Sequence, residues 1–330
     1  MNQKTNSDYW RGKNALVTGA TGILGSWLVK TLVEKKSNVV IIKRDHFPNS
    51  ELELSGALKK VSIVHGSLED YWTIERALNE YEIDTCFHLG AQALVQTANR
   101  SPLSTFEANL KGTWNVLEAC RHLKLVKRIV VASSDKAYGE HEKLPYDEDS
   151  KLNGLNPYDA SKSCCDIIAQ SYAHSFKMPI GIARCGNIYG GGDLNFSRII
   201  PGTIKSLLEK QAPVIRSDGT LVRDYFYVED AVDAFLMLAK SQDDEEMHGH
   251  VFNFSPESPI SVIDLVRKIS KIANSNLKPK ILSEAFNEIQ KQYLDCSKAR
   301  KLLNWQANTK LDDGLKKTFE WYQKFFDSAG

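Results

Sequence analysis

The chain has 330 residues, 42% of them hydrophobic, so it can bury a core without disulfide or metal staples. Its 42 basic and 41 acidic side chains give a formal net charge of +1, which argues against a nucleic-acid partner. The six cysteines form no Cys-x-x-Cys pair, and we expect them to be reduced and buried, with no metal site. The first 14 residues lack the apolar core of a signal peptide, and no apolar run is long enough to span a membrane. These features predict a cytoplasmic protein without a membrane partner.

Short β-branched runs alternate with helical patterns through the first half of the chain, as they do in βαβ units. The predicted strands cover residues 14–18, 38–42, 61–64, 85–89 and 128–132. Helices are predicted after the first strand as far as residue 35, and over residues 71–81 and 105–123. Strands joined by helical crossovers predict an α/β fold with a doubly wound parallel sheet of the Rossmann type.

The second half of the chain is punctuated by glycine and proline, which indicates a different organisation. Its predicted helices cover residues 200–210, 228–241, 262–273 and 312–326. We expect residues 1–190 to form the Rossmann domain and residues 191–330 to form a smaller α/β domain that binds the substrate. The boundary is soft, so segments of the two domains can interleave.

A glycine-rich loop follows the first predicted strand, with the sequence Gly19-Ala20-Thr21-Gly22-Ile23-Leu24-Gly25. Glycines at this spacing allow a tight turn, close backbone approach to a pyrophosphate at the helix N-terminus, and close packing of helix on strand. A plain strand-to-helix turn is the alternative, but the place of the loop in a βαβ series favours a dinucleotide site. The residues expected to contact the dinucleotide here are Gly19, Thr21, Gly22, Ile23, Leu24 and Gly25.

The end of the second predicted strand, Lys43-Arg44-Asp45, bears on the choice of dinucleotide. An acid at this place binds the ribose hydroxyls of NAD, whereas a base binds the 2′-phosphate of NADP. Lys43 and Arg44 favour NADP slightly, and Asp45 keeps NAD open. We take Arg44 and Asp45 as candidate cofactor contacts, with a solvated loop of mixed charge as the alternative.

Tyr158 and Lys162 stand four residues apart, so a helix places them on one face. A lysine ammonium and a nicotinamide ring both lower the pKa of a nearby tyrosine, which predicts Tyr158 as a general base on a substrate hydroxyl. The same spacing is common on amphipathic helices. Ser134, just after the fifth predicted strand, favours the catalytic interpretation because open α/β sheets bind ligands at that edge.

Six segments spread over nearly the whole chain carry a family resemblance. They are residues 17–22, 87–92, 109–113, 158–162, 184–190 and 223–230. In these segments the chain resembles the extended short-chain dehydrogenases/reductases of the nucleotide-sugar epimerase/dehydratase group. The resemblance implies an NAD(P)-binding Rossmann domain, a nucleotide-sugar substrate held by the C-terminal domain, and a homodimer formed through the helix that carries Tyr158 and Lys162.

The pair Asp135-Lys136 after Ser134 separates the reactions of this group. Sugar 4-epimerases usually have small or neutral residues there, and ordinary 4,6-dehydratases have Asp-Glu. An Asp-Lys pair resembles CDP-glucose 4,6-dehydratases and some UDP-N-acetylglucosamine dehydratases. Further runs that resemble the CDP-glucose enzymes are residues 92–95, 190–193 and 198–201. The run at 223–230 is closer to the epimerases and to the GDP- or dTDP-sugar dehydratases, so a CDP-glucose or GDP-mannose type of 4,6-dehydratase is implied.

In such a dehydratase the resemblance implies that Tyr158 takes the proton of the C4 hydroxyl as C4 is oxidised. Lys136 then removes the C5 proton, and Asp135 protonates the departing C6 hydroxyl. The hydride returns at C6, which implies a cofactor that is tightly bound and recycled. A surface ion pair is the alternative for Asp135 and Lys136, and burial distinguishes the two because a lysine base needs a lowered pKa.

The resemblance also implies further contacts to the two ligands. Besides Tyr158 and Lys162, the implied cofactor contacts are Ser67, Leu68, Leu89, Gly90, Ala91, Gln92 and Asn109. The group often has Gly-Asp after its third strand, whereas this chain has Gly66-Ser67-Leu68, so backbone contacts are expected there. The implied substrate contacts are Ser134, Asn187, Arg198 and Arg223. The planar fork of arginine suits a diphosphate, although a domain-closing salt bridge is the alternative for Arg198.

Two other functions stay open at this point. A nucleotide-sugar 4-epimerase would share every feature except a working Asp135 and Lys136. A non-catalytic NAD(P)-sensing scaffold is an alternative of another class, but such chains tend to lose one residue of the Tyr-x-x-x-Lys pair. This chain retains both, as Tyr158 and Lys162.

Overall fold

Seven parallel strands form the central sheet of the computed structural model, which describes residues 8–284 and 288–329. The strands of the described chain are β1 (Asn14–Thr18), β2 (Asn38–Lys43), β3 (Ser62–His65), β4 (Thr85–His88), β5 (Arg128–Ala132), β6 (Ile180–Cys185), β7 (Asn187–Tyr189), β8 (Val214–Ile215), β9 (Val222–Arg223), β10 (Tyr225–Tyr227), β11 (Val251–Phe254), β12 (Ile260–Ser261), β13 (Lys280–Ile281) and β14 (Lys291–Gln292). The helices are α1 (Ile23–Glu34), α2 (Glu51–Leu54), α3 (Tyr71–Glu80), α4 (Val95–Arg100), α5 (Pro102–Phe106), α6 (Gly112–His122), α7 (Pro157–Phe176), α8 (Ile199–Leu208), α9 (Val228–Ser241), α10 (Val262–Ile272), α11 (Ser297–Leu303) and α12 (Leu311–Ala329).

The strand order of the central sheet is β11-β6-β5-β4-β1-β2-β3. Every neighbouring pair is parallel. The chain leaves β1 toward one edge through β2 and β3, then returns to β4 on the other side of β1 and continues outward. This reversal confirms the predicted doubly wound Rossmann-type sheet. It also places a crevice between β1 and β4 at the carboxyl ends of the strands, where open α/β sheets bind ligands.

Hydrophobic clusters cover both faces of the sheet. Ala15 and Val17 of β1 pack in the cluster that contains residues of α1 and α9. Leu16, between them, points to the opposite cluster, which contains residues of α3 and α6. Because both faces are buried, the strands are nearly continuous apolar runs. This explains why the sequence predicts the positions of β1, β2, β4 and β5 well.

The central sheet contains two strands, β6 and β11, beyond the five that the sequence predicts. Strand β11 comes from the second half of the chain and pairs with β6. The sheet therefore draws on residues from both sides of position 190, and the division into domains at that position stays a prediction. Smaller sheets of two or three strands account for the other strands of the second half.

The helix predicted over residues 105–123 is interrupted. α5 ends at Phe106, a π-helical turn covers Glu107–Lys111, and α6 begins at Gly112. The turn leaves Asn109 buried, with 1% of its surface exposed. Turns of this kind often occur at functional sites, because they redirect side chains that a regular helix would point elsewhere.

The cysteines are free, and five of the six are buried. Cys164 is exposed, so the prediction that the cysteines are buried is wrong at this position. Its neighbour Cys165 points into the core from α7, and consecutive helical residues face different directions.

No helix in the described part of the chain combines the length and apolar character that crossing a membrane requires. The absence of a signal-peptide core was predicted from the first 14 residues. Of these, residues 1–7 lie outside the described residues.

A buried ion pair joins β6 to α7. Arg184 donates to both carboxylate oxygens of Asp166, with each N–O distance at 2.8 Å, and both side chains are nearly inaccessible to solvent. Asp166 also accepts a hydrogen bond from Ser133 at 2.6 Å. Arg184 donates a further hydrogen bond to the Tyr138 hydroxyl at 2.9 Å. The pair therefore fixes α7 against both the sheet and the segment that follows β5.

Arg184→Met is expected to destabilise the fold by about 3 kcal/mol or more, because it leaves the Asp166 carboxylate buried without its counter-ion. Urea unfolding followed by circular dichroism measures this change. Arg267→Met, which breaks the exposed pair with Asp264, is the matched control and should cost less than about 1 kcal/mol. Equal losses in the two variants would contradict the special role of the buried pair.

Candidate active site

The loop between β1 and α1 packs tightly against neighbouring backbone. Gly19 has a left-handed φ of +68°, and a Cβ there would lie 2.7 Å from the backbone nitrogen of Gly90. A Cβ on Gly25 would lie 2.2 Å from the Gly19 carbonyl oxygen. A Cβ on Gly22 would make only an ordinary contact, at 3.4 Å. Packing within the protein thus requires glycine at 19 and 25, and the open space beside Gly22 fits a pyrophosphate at the N-terminus of α1.

The other residues predicted for this loop lie around the same helix end. Thr21 and Ile23 are partly exposed on either side of Gly22, whereas the Leu24 side chain is buried in the core. The first turn of α1 contains no acidic residue. Its free N–H groups and the helix dipole therefore favour an anion at this position.

A chain of hydrogen bonds links β1, β4 and α6 beside the loop that begins at Leu89. Thr18 Oγ1 accepts from the backbone nitrogens of Leu89 and Gly90, at 3.1 and 3.0 Å. Its own proton therefore goes to His88 Nδ1, 2.9 Å away. His88 Nε2 must then carry the ring proton and donate it to Thr113 Oγ1 at 3.0 Å. Burial lowers the pKa of His88 to about 3, so the ring is neutral.

Asn109 ties the loop after β4 to α7. Its Oδ1 accepts from the Gln92 backbone nitrogen at 2.6 Å, and its Nδ2 donates to the Gln92 carbonyl and to Ser161 Oγ. Ser161 in turn donates to the Tyr158 carbonyl at 2.7 Å. Since the Asn109 side chain is committed to these protein partners, it acts on the predicted cofactor site by fixing the loop that carries Leu89, Gly90, Ala91 and Gln92.

Carboxylates lie close to both members of the basic pair Lys43-Arg44 at the end of β2. Arg44 Nε lies 2.7 Å from Asp45 Oδ2, and Arg44 Nη1 lies 4.0 Å from Glu69 Oε1. Lys43 Nζ lies 3.8 Å from a carboxylate oxygen of Glu53. The side chains of Arg44 and Asp45 remain more than half exposed, so both are open to a ligand.

The residues Ser67 and Leu68 follow β3 at the same edge of the sheet. Ser67 donates a hydrogen bond to Glu69. The Leu68 side chain packs on Gly90, where a Cβ would lie 2.5 Å from Leu68 Cδ1. The Leu68 carbonyl accepts from Asn115 Nδ2 at 3.0 Å. This stretch is thus held beside the loop after β4, and its contact with a cofactor stays a prediction.

Ser134, Tyr158 and Lys162 meet at the carboxyl end of β5. The Ser134 hydroxyl lowers the pKa of Tyr158, but burial is the larger effect and raises that pKa to about 12. Lys162 is buried, which lowers its pKa, and its Nζ donates to the Ala132 carbonyl at 2.9 Å. The expectation that Lys162 lowers the pKa of Tyr158 was made for the site with a nicotinamide ring bound, and it stays a prediction. The positive charge that has this effect on Tyr158 is that of Arg198.

Asp135 and Lys136 form a shielded acid and base rather than a surface ion pair. Asp135 is 2% exposed, and its Oδ2 has no hydrogen-bond partner among the described residues. Burial raises the pKa of Asp135, against the opposing charge of Lys136. Burial also lowers the pKa of Lys136, against the opposing charge of Asp135. The two pKa values move toward each other, so the charged form of each group is less favoured here than in water.

Two residues that the sequence analysis missed complete this site. Gln292 of β14 is fully buried; it donates to the Asp135 carbonyl at 2.9 Å and accepts from Lys136 Nζ. Asp159 of α7 is 5% exposed, and burial raises its pKa. Asp159 could have been noticed because it follows Tyr158, but no sequence pattern marks Gln292.

The predicted substrate residues differ in how close they lie to the Asp135–Lys136 pair. Arg223 is buried, and its charge acts on both residues of the pair. Arg198 lies at the start of α8, 3.0 Å from Asp193, with about a third of its side chain exposed. That partner is five residues away in the chain, so this ion pair does not close two domains. Asn187 begins β7, and its backbone nitrogen donates to the Asp224 carbonyl.

Comparison with known proteins gives matches along almost the whole chain. The profile of the GDP-mannose 4,6 dehydratase family matches residues 16–318. A trifunctional UDP-glucose 4,6-dehydratase/UDP-4-keto-6-deoxy-D-glucose 3,5-epimerase/UDP-4-keto-L-rhamnose-reductase of Arabidopsis thaliana is 31% identical over 324 residues, covering 95% of this chain and 47% of the plant protein. The chain thus spans about half the length of that relative. CDP-glucose 4,6-dehydratase of Salmonella typhimurium is 28% identical over 331 residues, covering 96% of this chain and 92% of that protein.

Solved structures show the same fold. The UDP-glucose 4-epimerase of Thermotoga maritima, solved with UDP-glucose, superposes with a TM-score of 0.85 at 27% identity, covering 95% of this chain and 99% of that one. The protein MoeE5, solved with UDP-glucose and NAD, superposes with a TM-score of 0.83 at 26% identity, over the same shares of the two chains. With its family profile matched over residues 16–318, this chain belongs to the GDP-mannose 4,6-dehydratase family of NAD-dependent nucleotide-sugar enzymes.

Proposed function

We propose that the protein is a nucleotide-sugar 4,6-dehydratase, of the CDP-glucose or GDP-mannose type, which converts an NDP-hexose to the NDP-4-keto-6-deoxyhexose. The observation that carries the proposal is the shielded Asp135–Lys136 pair. Elimination of water needs a group that accepts a proton at C5 and a group that gives one to the C6 oxygen. Burial shifts the Lys136 amine toward its neutral, accepting form and the Asp135 carboxyl toward its protonated, donating form.

The chain's own residues divide the proton transfers among them. When bound, the nicotinamide dinucleotide supplies the redox chemistry at the sugar carbons and a positive charge that opposes the effect of burial on the pKa of Tyr158. Tyr158 accepts the proton of the C4 hydroxyl, and the Ser134 hydroxyl can hydrogen-bond to the same C4 oxygen. The resulting ketone acidifies the hydrogen at C5, which Lys136 accepts as a proton. Asp135 gives its proton to the C6 oxygen, which leaves as water.

The arginines suit the diphosphate of such a substrate. The Arg223 guanidinium is buried close to Asp135 and Lys136, and the Arg198 guanidinium reaches Tyr158 electrostatically. A guanidinium donates two parallel hydrogen bonds to phosphate oxygens. Both can therefore anchor the nucleotide while the sugar lies between Tyr158 and the acid-base pair.

Lys136→Gln is expected to lower kcat for 4-keto-6-deoxy product by about 10²–10⁴-fold, because it removes the base at C5. The assay incubates the protein with CDP-, GDP-, UDP- and dTDP-hexoses and identifies products by mass. Lys143→Gln, an exposed lysine on the same connection to α7, is the control and should behave as the wild type.

The mass of the wild-type product decides among the candidate functions. Loss of one water from one sugar nucleotide supports the dehydratase. A product of unchanged mass with inverted stereochemistry would instead identify a 4-epimerase, and no turnover of any sugar would favour the non-catalytic scaffold. An active Lys136→Gln variant would remove the assigned base from the mechanism.

We propose NAD as the cofactor, recycled within each turnover. The slight preference for NADP rests on Lys43 and Arg44, but a carboxylate faces each of these cations. Asp45 and Glu69 would both lie near a 2′-phosphate bound by Arg44. Like charges at this distance disfavour the phosphate, whereas a carboxylate accepts hydrogen bonds from ribose hydroxyls.

The protein freed of bound cofactor is therefore expected to bind NAD more tightly than NADP in isothermal titration calorimetry. Asp45→Asn should tighten NADP binding about tenfold, which corresponds to about 1.4 kcal/mol, because it removes a negative charge and releases Arg44. Asp327→Asn, on the exposed end of α12, should change neither affinity. Tighter binding of NADP than of NAD by the wild type would reinstate Lys43 and Arg44 as a phosphate site.

We also propose a homodimer that forms through α7 and the helices beside it. Helices α4, α5 and α6 all pack against α7. Their outer surface carries large apolar side chains that are 37% to 71% exposed, namely Val95, Leu103, Phe106, Trp114 and Ile167. Several such side chains on adjoining helices are typical of a protein interface.

Ile167→Glu is expected to convert the dimer to a monomer at micromolar concentration, since it places a charge in the apolar interface. Sedimentation velocity measures the change. Leu302→Glu, the same kind of substitution at an exposed position of α11, should leave the dimer intact. A wild-type protein that sediments as a monomer would refute the proposed interface.

A further inference from the structure

A buried glutamine connects the two residues of the Asp135–Lys136 pair. Gln292 lies on β14, whose parallel register with β9 places it opposite Arg223. None of its surface is exposed. Its Nε2 donates to the Asp135 carbonyl at 2.9 Å, and its Oε1 accepts from Lys136 Nζ. A residue 156 positions from Lys136 and 157 positions from Asp135 thus contacts both members of the pair.

The backbone around Gln292 is held from both sides. β9 pairs with β14 on one side. On the other, Tyr146 donates to the Tyr293 carbonyl at 3.0 Å and accepts from the Asp295 backbone nitrogen at 2.8 Å. The side chain is therefore anchored where it meets Lys136 and has little freedom to follow it.

The partners of Gln292 fix the orientation of its amide. The Asp135 carbonyl can only accept and the Lys136 ammonium can only donate, so the amide nitrogen must face Asp135 and the amide oxygen must face Lys136. A neutral Lys136 still has two N–H groups. One of them stays on the amide oxygen, and the lone pair of the amine points elsewhere because that oxygen has no proton to offer it.

We propose that Gln292 is a positioning residue that holds one N–H of Lys136 and so keeps the amine lone pair available to the substrate. This inference rests on the proposed function, in which Lys136 is the base. Gln292 acts through Lys136 and needs no contact with the sugar. It also couples the site to the second half of the chain, which supplies β9 and β14.

The absence of charge on Gln292 is part of this role. The charged and titratable groups that act on Lys136 are Asp135 on its own turn, Asp159 on α7, Arg223 on β9 and Glu288 before β14. Burial lowers the pKa of Lys136, Arg223 lowers it further, and the three carboxylates raise it. A fourth carboxylate in place of Gln292 would keep Lys136 protonated to higher pH.

Two substitutions separate positioning from structure. Gln292→Met keeps the length of the side chain but removes both hydrogen bonds, and kcat should fall about 10–100-fold with little change in KM. Gln292→Glu keeps the shape and adds a charge. It should move the rising limb of the kcat pH profile to higher pH by about 1 unit or more, because Lys136 must lose its proton to act. Gln290→Met, which removes a side-chain hydrogen bond to Thr220, is the matched control.

A second measurement does not depend on turnover. Competitive acetylation of the free protein across a pH series, read by mass spectrometry, gives the pKa of Lys136 directly. Gln292→Glu should raise that pKa relative to the wild type, and Gln290→Met should leave it unchanged. If the wild type dehydrates no sugar nucleotide, the proposed function fails while the labelling still tests the Gln292–Lys136 contact.

Gln292 would be only structural under a different set of results. In that case Gln292→Met would lose activity in step with its thermal stability, and Gln292→Glu would leave both the pH profile and the labelling pKa of Lys136 unchanged. Either unchanged value in a folded Gln292→Glu variant overturns the proposal.

Discussion

The candidate site depends on the ion pair between Arg184 and Asp166. Asp166 accepts a hydrogen bond from Ser133, and Arg184 donates one to Tyr138. The pair therefore fixes both ends of the short segment that carries Ser134, Asp135 and Lys136. Asp166 belongs to α7, the helix of Tyr158 and Lys162. One buried interaction thus sets the distance between the two sets of residues. Burying charges has a large desolvation cost. Here the buried Arg184–Asp166 pair also gives one side of the site a fixed position that is shielded from solvent.

Burial has a second effect, on proton affinity. An acid and an amine exposed to water would exist as carboxylate and ammonium, and neither would serve the elimination. Within the protein, Asp135 holds its proton more firmly and Lys136 holds its proton less firmly than in water. Burial therefore shifts both groups toward the protonation states that the elimination needs, without a rearrangement of the backbone.

The sequence predicts those parts of the structure that depend on local pattern. β1, β2, β4 and β5 are apolar runs because both faces of the sheet are covered, and the glycines at 19 and 25 follow from backbone contact. The π-helical turn at Glu107–Lys111 was not predictable, since its residues fit a regular helix equally well and tertiary contacts of Asn109 decide the outcome.

The acid-base pair also combines features that the local sequence predicts with features that only tertiary contacts determine. Asp135 and Lys136 are adjacent, so the sequence could identify them, but their burial and the direction of their pKa shifts required the folded chain. Gln292 sits in a strand of two residues, too short for any periodicity, and meets Lys136 only through the pairing of β14 with β9. A polar residue defined by long-range contacts leaves no local signal.

The exposed thiol of Cys164 allows the proposed dimer to be followed by chemical labelling. All six cysteines lie in the described part of the chain, and the other five are buried. A thiol-reactive fluorophore should therefore attach at one position. That position lies on α7, one turn from Ile167 and two residues from Lys162. The rate of labelling would report how often this face is uncovered, so a single native side chain can follow subunit exchange without an engineered cysteine.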